Sequence, residues 1–454
     1  MKRIYILGIG GMRQSALARH FNGMGLSVSG YDRSPSALTK EMEQEGIDIH
    51  YEDRPDLMPE ADGTLVITSP AIPEDLGELR KVKENRYEVL SGAEVLGAIT
   101  AGSPCLAIAG THGKTTTTAL AAHILNCYGD ECTAFIGGVA KNYGTNYIKG
   151  SGGSFVVEAD DYRRAFLQLI PTVAVVTSTD ADHLDVYGNQ ASVLEAFRAF
   201  VFNVSDTIVL KTGLPLSGAD TDARVYTYHE TNHEADFHAI NIRPAGKGHY
   251  LFDLVHPGGV IKDIRTGIPG WVNVSNSIAA AAVALCHGVP PKAVKTGIAS
   301  FEGVRRRLDV LVDLPGLAYV DDFAHHPEEL AAAIASIRGM FPERKLTAVF
   351  QPHLYSRTRD FAKEFARVLS EVDKLILLDI YPAREDPIPG VSSDLILKDV
   401  TCAEKTLITK DRLLEYLKDE DLDVLVTFGA GDIGAMAGAI SEIVKIKKIN
   451  KNFP

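Results

Sequence analysis

The stretch Leu106-Ala-Ile-Ala-Gly-Thr-His-Gly-Lys-Thr-Thr-Thr-Thr-Ala-Leu120 decides how the chain is read. Leu106–Ala109 is a short apolar run of strand type, and Gly110 to Thr115 is a turn punctuated by two glycines. From Thr115 the residues Ala119, Leu120, His123 and Leu125 fall at helical spacing. A strand, a tight glycine turn and a helix start form a phosphate cradle, because free backbone N–H groups and the helix dipole converge on one anion. Gly110, Thr111, His112, Gly113, Lys114, Thr115 and Thr116 are therefore the expected nucleotide-binding residues. Lys114 would reach the outer phosphates, and Thr115 would offer a hydroxyl to Mg²⁺. The spacing is G-x-x-G-K-T, two residues shorter than the common phosphate-loop pattern.

Outward from that loop, the 454 residues suffice for two to four domains. A hydrophobic content of 45% and a charged content of 23% are those of a soluble globular protein. The net charge of −13 argues against bulk binding of nucleic acid or docking on an anionic membrane, so an anionic substrate needs a locally basic site. The five cysteines, Cys105, Cys127, Cys132, Cys286 and Cys402, have no metal or disulfide spacing and suit a reducing compartment. Met1-Lys-Arg runs straight into an apolar strand. The expectation is a cytoplasmic chain with no signal peptide and no membrane span.

Residues 1–97 open with a strand, Arg3–Ile9, and the loop Gly8-Ile-Gly-Gly-Met-Arg-Gln-Ser. A helix towards Met24 follows, then a second strand, Ser27–Tyr31, ending in Asp32. This is a β–turn–α–β nucleotide-binding opening in which Gly8, Gly10, Gly11, Arg13 and Asp32 are the candidate contacts. Arg13 stands where the third glycine of G-x-G-x-x-G is expected; its guanidinium either blocks close backbone approach or binds phosphate itself.

Downstream, Gly137-Gly-Val-Ala-Lys-Asn-Tyr-Gly reads as a glycine-rich loop, and Ser154-Phe-Val-Val-Glu places Glu158 at a strand end as a candidate Mg²⁺ ligand. Asp180-Ala-Asp-His-Leu-Asp adds carboxylates and His183. Residues 206–270 read as a β-rich excursion with little chemistry. Asn273 and Asn276 share the first turn of a helix, where they either cap it or meet a nucleotide base. The last third alternates strands at Ala318–Asp321, Leu346–Phe350, Leu375–Leu378 and Val424–Thr427 with helices, the clearest over Arg359–Val372. Polar loops follow each of these strands, and Arg357 has the planar fork that suits a carboxylate.

The blocks Ala109-Gly-Thr-His-Gly-Lys-Thr-Thr-Thr, Val157-Glu-Ala-Asp, Asp180-Ala-Asp-His-Leu-Asp, Gly303-Val-Arg-Arg-Arg, Asp321-Asp-Phe-Ala-His-His-Pro, Gln351-Pro-His-Leu-Tyr-Ser-Arg-Thr-Arg-Asp, Ile380-Tyr-Pro-Ala-Arg-Glu and Gly429-Ala-Gly-Asp-Ile, in this order, resemble the Mur ligases. The resemblance implies an α/β chain of three domains: an N-terminal Rossmann-like domain for a UDP substrate (1–97), a central P-loop ATPase-type domain (98–305) and a C-terminal Rossmann-like domain for the amino acid (306–454). It implies ATP-dependent joining of L-alanine to the carboxylate of UDP-N-acetylmuramate through an acyl phosphate, with Mg²⁺, in peptidoglycan precursor synthesis. Lys114, Glu158, His183 and Arg357 would then carry the chemistry, with Thr115, Glu158 and His183 on the metal. Asn276, Arg307, Asp321 and His325 would lie near the nucleotide, and His353, Arg357 and Arg359 near the amino acid. The expected partners are small molecules alone, in a monomer or homodimer. The first loop and residues 161–165 depart from the usual family pattern, as do Val272 and Phe323. A Mur-type ligase acting on a different acid is the alternative.

Overall fold

A computed structural model describes residues 3–180, 184–383 and 385–452. His183, an expected metal ligand, lies outside them.

The first segment is a five-stranded sheet in the order β3-β2-β1-β4-β5, made of β1 (Arg3–Leu7), β2 (Ser27–Tyr31), β3 (Asp48–His50), β4 (Thr64–Thr68) and β5 (Glu88–Ser91). All its pairs are parallel. Helices α1 (Met12–Gly23), α2 (Ala37–Gln44), α3 (Gly77–Glu84) and α4 (Gly92–Thr100) connect them. Parallel strands require such crossovers.

The central sheet has ten strands, β6 (Cys105–Ala109), β7 (Thr133–Ala140), β8 (Thr145–Ile148), β9 (Phe155–Glu158), β10 (Val173–Val176), β11 (Thr207–Lys211), β12 (Arg224–His229), β13 (Phe237–Pro244), β14 (Tyr250–His256) and β15 (Gly259–Arg265). Their order is β15-β14-β13-β12-β11-β10-β6-β9-β7-β8. The helices are α5 (Lys114–Tyr128), α6 (Leu184–Tyr187), α7 (Gln190–Phe202), α8 (Val272–Cys286) and α9 (Pro291–Ser300). The β-rich excursion thus extends the sheet of the phosphate loop. Gly137 and Gly138, expected in a loop, lie inside β7, parallel to β9.

The third sheet runs β16-β17-β21-β18-β19-β20, from β16 (Asp309–Leu314), β17 (Leu317–Asp322), β18 (Leu346–Phe350), β19 (Lys374–Leu378), β20 (Glu404–Ile408) and β21 (Val424–Phe428). Only the edge pair β16–β17 is antiparallel. Its helices are α10 (Pro327–Met340), α11 (Tyr355–Asp360), α12 (Ala362–Leu369), α13 (Asp394–Leu397), α14 (Leu413–Asp419) and α15 (Ala437–Asn452). The helix expected over Arg359–Val372 is two helices, broken at Phe361 with φ −117° and ψ 19°. Phe361 and Phe365 pack on the same apolar cluster, which is why their spacing reads through the break.

Two compact units result. One holds the chain through Ile242 with Phe252–Arg265 and Ser275–Glu302, and the other holds Arg243–Leu251, Thr266–Val274 and the chain from Gly303. In the first, one apolar cluster runs from Ile4 and Leu17 of the small sheet to Ala107, Val157 and Phe197 of the large one. In the second, separate clusters cover the faces of the third sheet, one around Phe350 and Leu375 and one around Tyr319 and Leu425. No helix among the described residues is long and apolar enough to cross a membrane.

Candidate functional site

The phosphate loop hangs between two interior strand ends. Every residue of β6 is fully buried, with β10 on one side and β9 on the other. Gly110 turns out of the strand at φ +136°, where a Cβ would fall 2.1 Å from Thr177 Oγ1. Ser178, just after β10, ties the loop down: its Oγ accepts from His112 N at 2.8 Å and lies 2.8 Å from Thr111 Oγ1. His112 Nε2 lies 3.6 Å from the Asp180 carboxylate. Gly113, at φ +79°, precedes the first residue of α5, whose first turn carries no acidic residue and no side-chain cap. The uncapped N–H groups of that turn are what an anion requires there. Thr115 and Thr116 are buried in that turn.

Lys114 is folded back over the loop. Its Nζ donates to Gly110 O at 2.5 Å, to Thr111 O at 3.3 Å and to Asp161 Oδ1 at 2.7 Å. Burial works against the ammonium, but Asp161, Asp160 and Glu158 outweigh it and hold its pKa above the ordinary lysine value. Asp161 is fully buried, and its Oδ2 has no hydrogen-bond partner among the described residues. Sequence reading passed over Asp161; only the pairing of Ile108 with Glu158 across β6 and β9 brings the end of β9 beside the loop.

Glu158 accepts from Gly137 N at 2.9 Å, and a Cβ at Gly137 would stand 2.3 Å from its carboxylate. That close approach accounts for the glycine inside β7. Glu158 and the Thr115 hydroxyl are hard oxygen donors, and the orphaned Asp161 Oδ2 leaves negative charge nearby. This set fits Mg²⁺, which takes one or two protein oxygens and completes its shell with phosphate and water. The described residues contain no closed cage of three His, Cys, Asp or Glu ligands. Asn276, from α8, lies beside the loop, where its Oδ1 accepts from Thr117 at 3.4 Å. Asn273, by contrast, donates to Pro269 O at 2.6 Å.

A cleft of about 400 Å³ opens beside this site between the first and central segments, lined by Arg13, Thr68, Ser91, Glu158, Arg163 and Arg164 among others. Arg13 Nη2 pairs with Asp160 Oδ2 at 2.7 Å across it. The small-sheet loop is held by Asp32, whose Oδ2 accepts from Gly10 N at 2.8 Å; a Cβ at Gly10 would fall 2.8 Å from the same oxygen. Gly8 has φ +74° and Gly11 N donates to Gly8 O at 3.0 Å, so the turn is tight.

The second unit carries its own polar edge. Arg306 Nε donates to Asp321 Oδ2 at 3.0 Å and its Nη2 to Gly429 O at 2.6 Å. The Phe323 ring lies 5.2 Å from the Arg306 guanidinium and 4.9 Å from that of Arg307. Burial raises the Asp321 carboxyl pKa against the pull of Arg306, and burial pushes Asp322 up to about 6 although Arg307 opposes it. Asp322 accepts from Leu308 N at 2.6 Å and Ala324 N at 2.7 Å. His325, 3.2 Å from the Glu329 carboxylate, faces His353 with ring centroids 5.8 Å apart, and His353 stacks on Tyr381 at 5.7 Å. Arg357 is half-buried in α11, while Arg359 is exposed and donates to Asp360 at 2.7 Å. Leu354, at φ +72°, holds the turn into α11 in a conformation L-residues seldom adopt.

Three family profiles match in succession: Mur ligase family, catalytic domain, over residues 3–103; Mur ligase middle domain over 108–284; and Mur ligase, glutamate ligase domain, over 306–439. The chain is 46% identical over 451 residues to the UDP-N-acetylmuramate–L-alanine ligase of Flavobacterium psychrophilum, covering 98% of this chain and 97% of that protein. It is 43% identical to the enzyme of the same name from Phocaeicola vulgatus over 442 residues, 95% of this chain and 96% of that one. Among solved structures it is similar to the UDP-N-acetylmuramate–alanine ligase of Thermotoga maritima, with a TM-score of 0.83 and 26% identity over 98% of this chain and 99% of the other.

Proposed function

The chain belongs to the Mur ligase family, and from that premise we infer that it joins L-alanine to the carboxylate of UDP-N-acetylmuramate at the expense of ATP, a step of peptidoglycan precursor synthesis. The observation that carries the reading is the loop between β6 and α5, with Lys114 over it and Glu158 on the neighbouring strand. Full-length relatives of that name support the choice of substrates.

In the reaction, a carboxylate oxygen of the sugar acid bonds to the γ-phosphorus as the bridging P–O bond breaks and ADP leaves. The amine of alanine then adds to the acyl carbon, and phosphate departs as the amide forms. The N–H groups of residues 111–116 would hold the phosphates, and Lys114 would exchange Asp161 for the transferring phosphoryl oxygens. Thr115, Glu158 and His183 would hold Mg²⁺, which spreads the charge that develops on the phosphoryl group. Asn276 would orient the nucleotide, together with Arg307, Asp321 and His325. Gly8, Gly10, Gly11, Arg13 and Asp32 would seat the sugar nucleotide, and His353, Arg357 and Arg359 the amino acid.

The assigned boundaries are 1–97 for the sugar nucleotide, 98–305 for ATP and 306–454 for the amine. ATP and a UDP-linked precursor suit a cytoplasmic monomer or homodimer, which light scattering during gel filtration tests.

A matrix assay of phosphate release over several acids and amines tests the function. Release is expected only when UDP-N-acetylmuramate and L-alanine are both present with ATP. Release with another acid, and none with the muramyl one, selects instead a ligase for a different carboxylate. That second reading is favoured by Arg13 and Arg163, which add positive charge to the cleft.

A further inference from the structure

Two successive carboxylates after β9 go to different partners. Asp160 takes Arg13 at 2.7 Å, and Asp161 takes Lys114 at 2.7 Å. One ion pair faces the cleft, and the other sits on the phosphate loop.

The two acids share one hydrogen-bonded turn. Tyr162 N donates to Asp160 Oδ1 at 3.2 Å, Phe166 N to Asp160 O at 2.9 Å and Arg164 N to Asp161 O at 2.9 Å, and the Tyr187 hydroxyl reaches Asp161 O at 2.5 Å. A movement of one carboxylate is therefore carried to the other. The turn is also loaded: Arg163 and Arg164 are adjacent non-glycine residues at φ +50° and +57°. Asp161 is fully buried, and its Oδ2 has no hydrogen-bond partner among the described residues.

We propose that Arg13 is a specificity-determining contact for an anionic group of the acid substrate, and that the Asp160–Asp161 turn couples its engagement to the release of Lys114. This rests on the ligase reading, which places the acid in the cleft. An anion entering there competes with Asp160 for the Arg13 guanidinium and repels the displaced carboxylate. The turn shifts, Asp161 withdraws, and Lys114 becomes available to the triphosphate. In the reverse direction, phosphates that draw Lys114 away leave Asp161 unpaired, and the turn yields Arg13. Acid and nucleotide each tighten the other's binding by the same factor, as linkage requires. ATP met alone finds its lysine occupied, which restrains wasteful hydrolysis.

The test is equilibrium titration of the full chain with a non-hydrolysable ATP analogue, alone, with saturating UDP-N-acetylmuramate, and with UDP-N-acetylglucosamine, an anion without the carboxylate, in its place. For the unaltered protein, the anion tightens the analogue about tenfold or more. Asp161→Asn binds the analogue tightly without any anion and gains nothing further from one. Arg13→Gln loses the tightening, and Arg13→Lys, which keeps the charge, recovers part of it; a merely structural arginine would not be rescued in this way. If Asp161→Asn keeps the full dependence on the anion, or Arg13→Gln keeps the full tightening, the coupling is overturned. If UDP-N-acetylglucosamine couples through Arg13 while the muramyl compound does not bind, the relay stands and the substrate assignment falls. If neither anion's effect depends on Arg13, the relay falls whichever acid is the substrate.

Discussion

A Cβ on Gly113 would stand 2.8 Å from Asn276 Oδ1, so the helix that starts at the phosphate loop is seated directly against the start of another. Gly113→Ala meets both that oxygen and a φ of +79°. It is expected to destabilise the protein by about 1–3 kcal/mol and to abolish nucleotide binding. Gly129→Ala, at the other end of α5 with φ +91° and nothing within 4 Å, loses only about 1 kcal/mol and keeps binding. Thermal unfolding and analogue titration of the pair check this.

Lys114→Ala is expected to lower turnover at least about a thousandfold, because the transferring group loses its counter-charge. It also strands the buried Asp161 carboxylate, which costs about 3–5 kcal/mol. Adding Asp161→Asn returns most of that stability and none of the turnover. Denaturant unfolding beside phosphate release separates the two effects.

Arg306→Ala removes the partner of Asp321, which is 1% exposed. A loss of about 3 kcal/mol is expected, most of it the burden of an unpaired charge. Gly434→Ala displaces the same guanidinium, since its Cβ would fall 2.2 Å from Arg306 Cζ.

The buried Asp322 gives a pH signature. Its folded pKa, about 6, lies above the ordinary aspartate value of 3.8, so between those values the folded chain holds the extra proton. Its contribution is complete below the lower value and is lost as pH rises through 6. Stability of the second unit should therefore grow on acidification from pH 7.5 to 5, by up to about 1.4 kcal/mol per unit from this group. Asp322→Asn flattens that slope. Unfolding midpoints of the two proteins over this range decide it.

Chelating divalent ions is expected to stop phosphate release, and added Mg²⁺ to restore it. Glu158→Gln keeps an acceptor for Gly137 N and so keeps its melting transition, yet needs about tenfold or more Mg²⁺ for half-activation. An activation curve equal to that of the unaltered protein would remove Glu158 from the metal.

Much of this was legible in the sequence, because strand, glycine turn and helix leave marks at short range. Lys114 and Thr115 open α5 and Glu158 closes β9, the positions their spacing predicts. Residues that meet only through the sheet were not: the choice among Glu158, Asp160 and Asp161 as partner of Lys114 depends on strand neighbours that spacing does not encode. Asp32, a candidate ligand contact, also holds the Gly10 amide, a role that spacing does not announce. Arg359, expected near the amino acid, donates here to its own neighbour Asp360, a contact the resemblance does not announce. Gly137 misled because a glycine that makes room for a carboxylate and a glycine that makes a bend look alike along the chain. Arg306 was seen only as one of three arginines near a boundary; its position between Asp321 and Gly429 O comes from the adjacency of β17 and β21.

Since β6 is wholly buried with a hydrogen-bonded neighbour on each side, its amide protons can meet solvent deuterium only when the whole sheet opens. The nucleotide loop therefore springs from some of the slowest-exchanging backbone in the first unit.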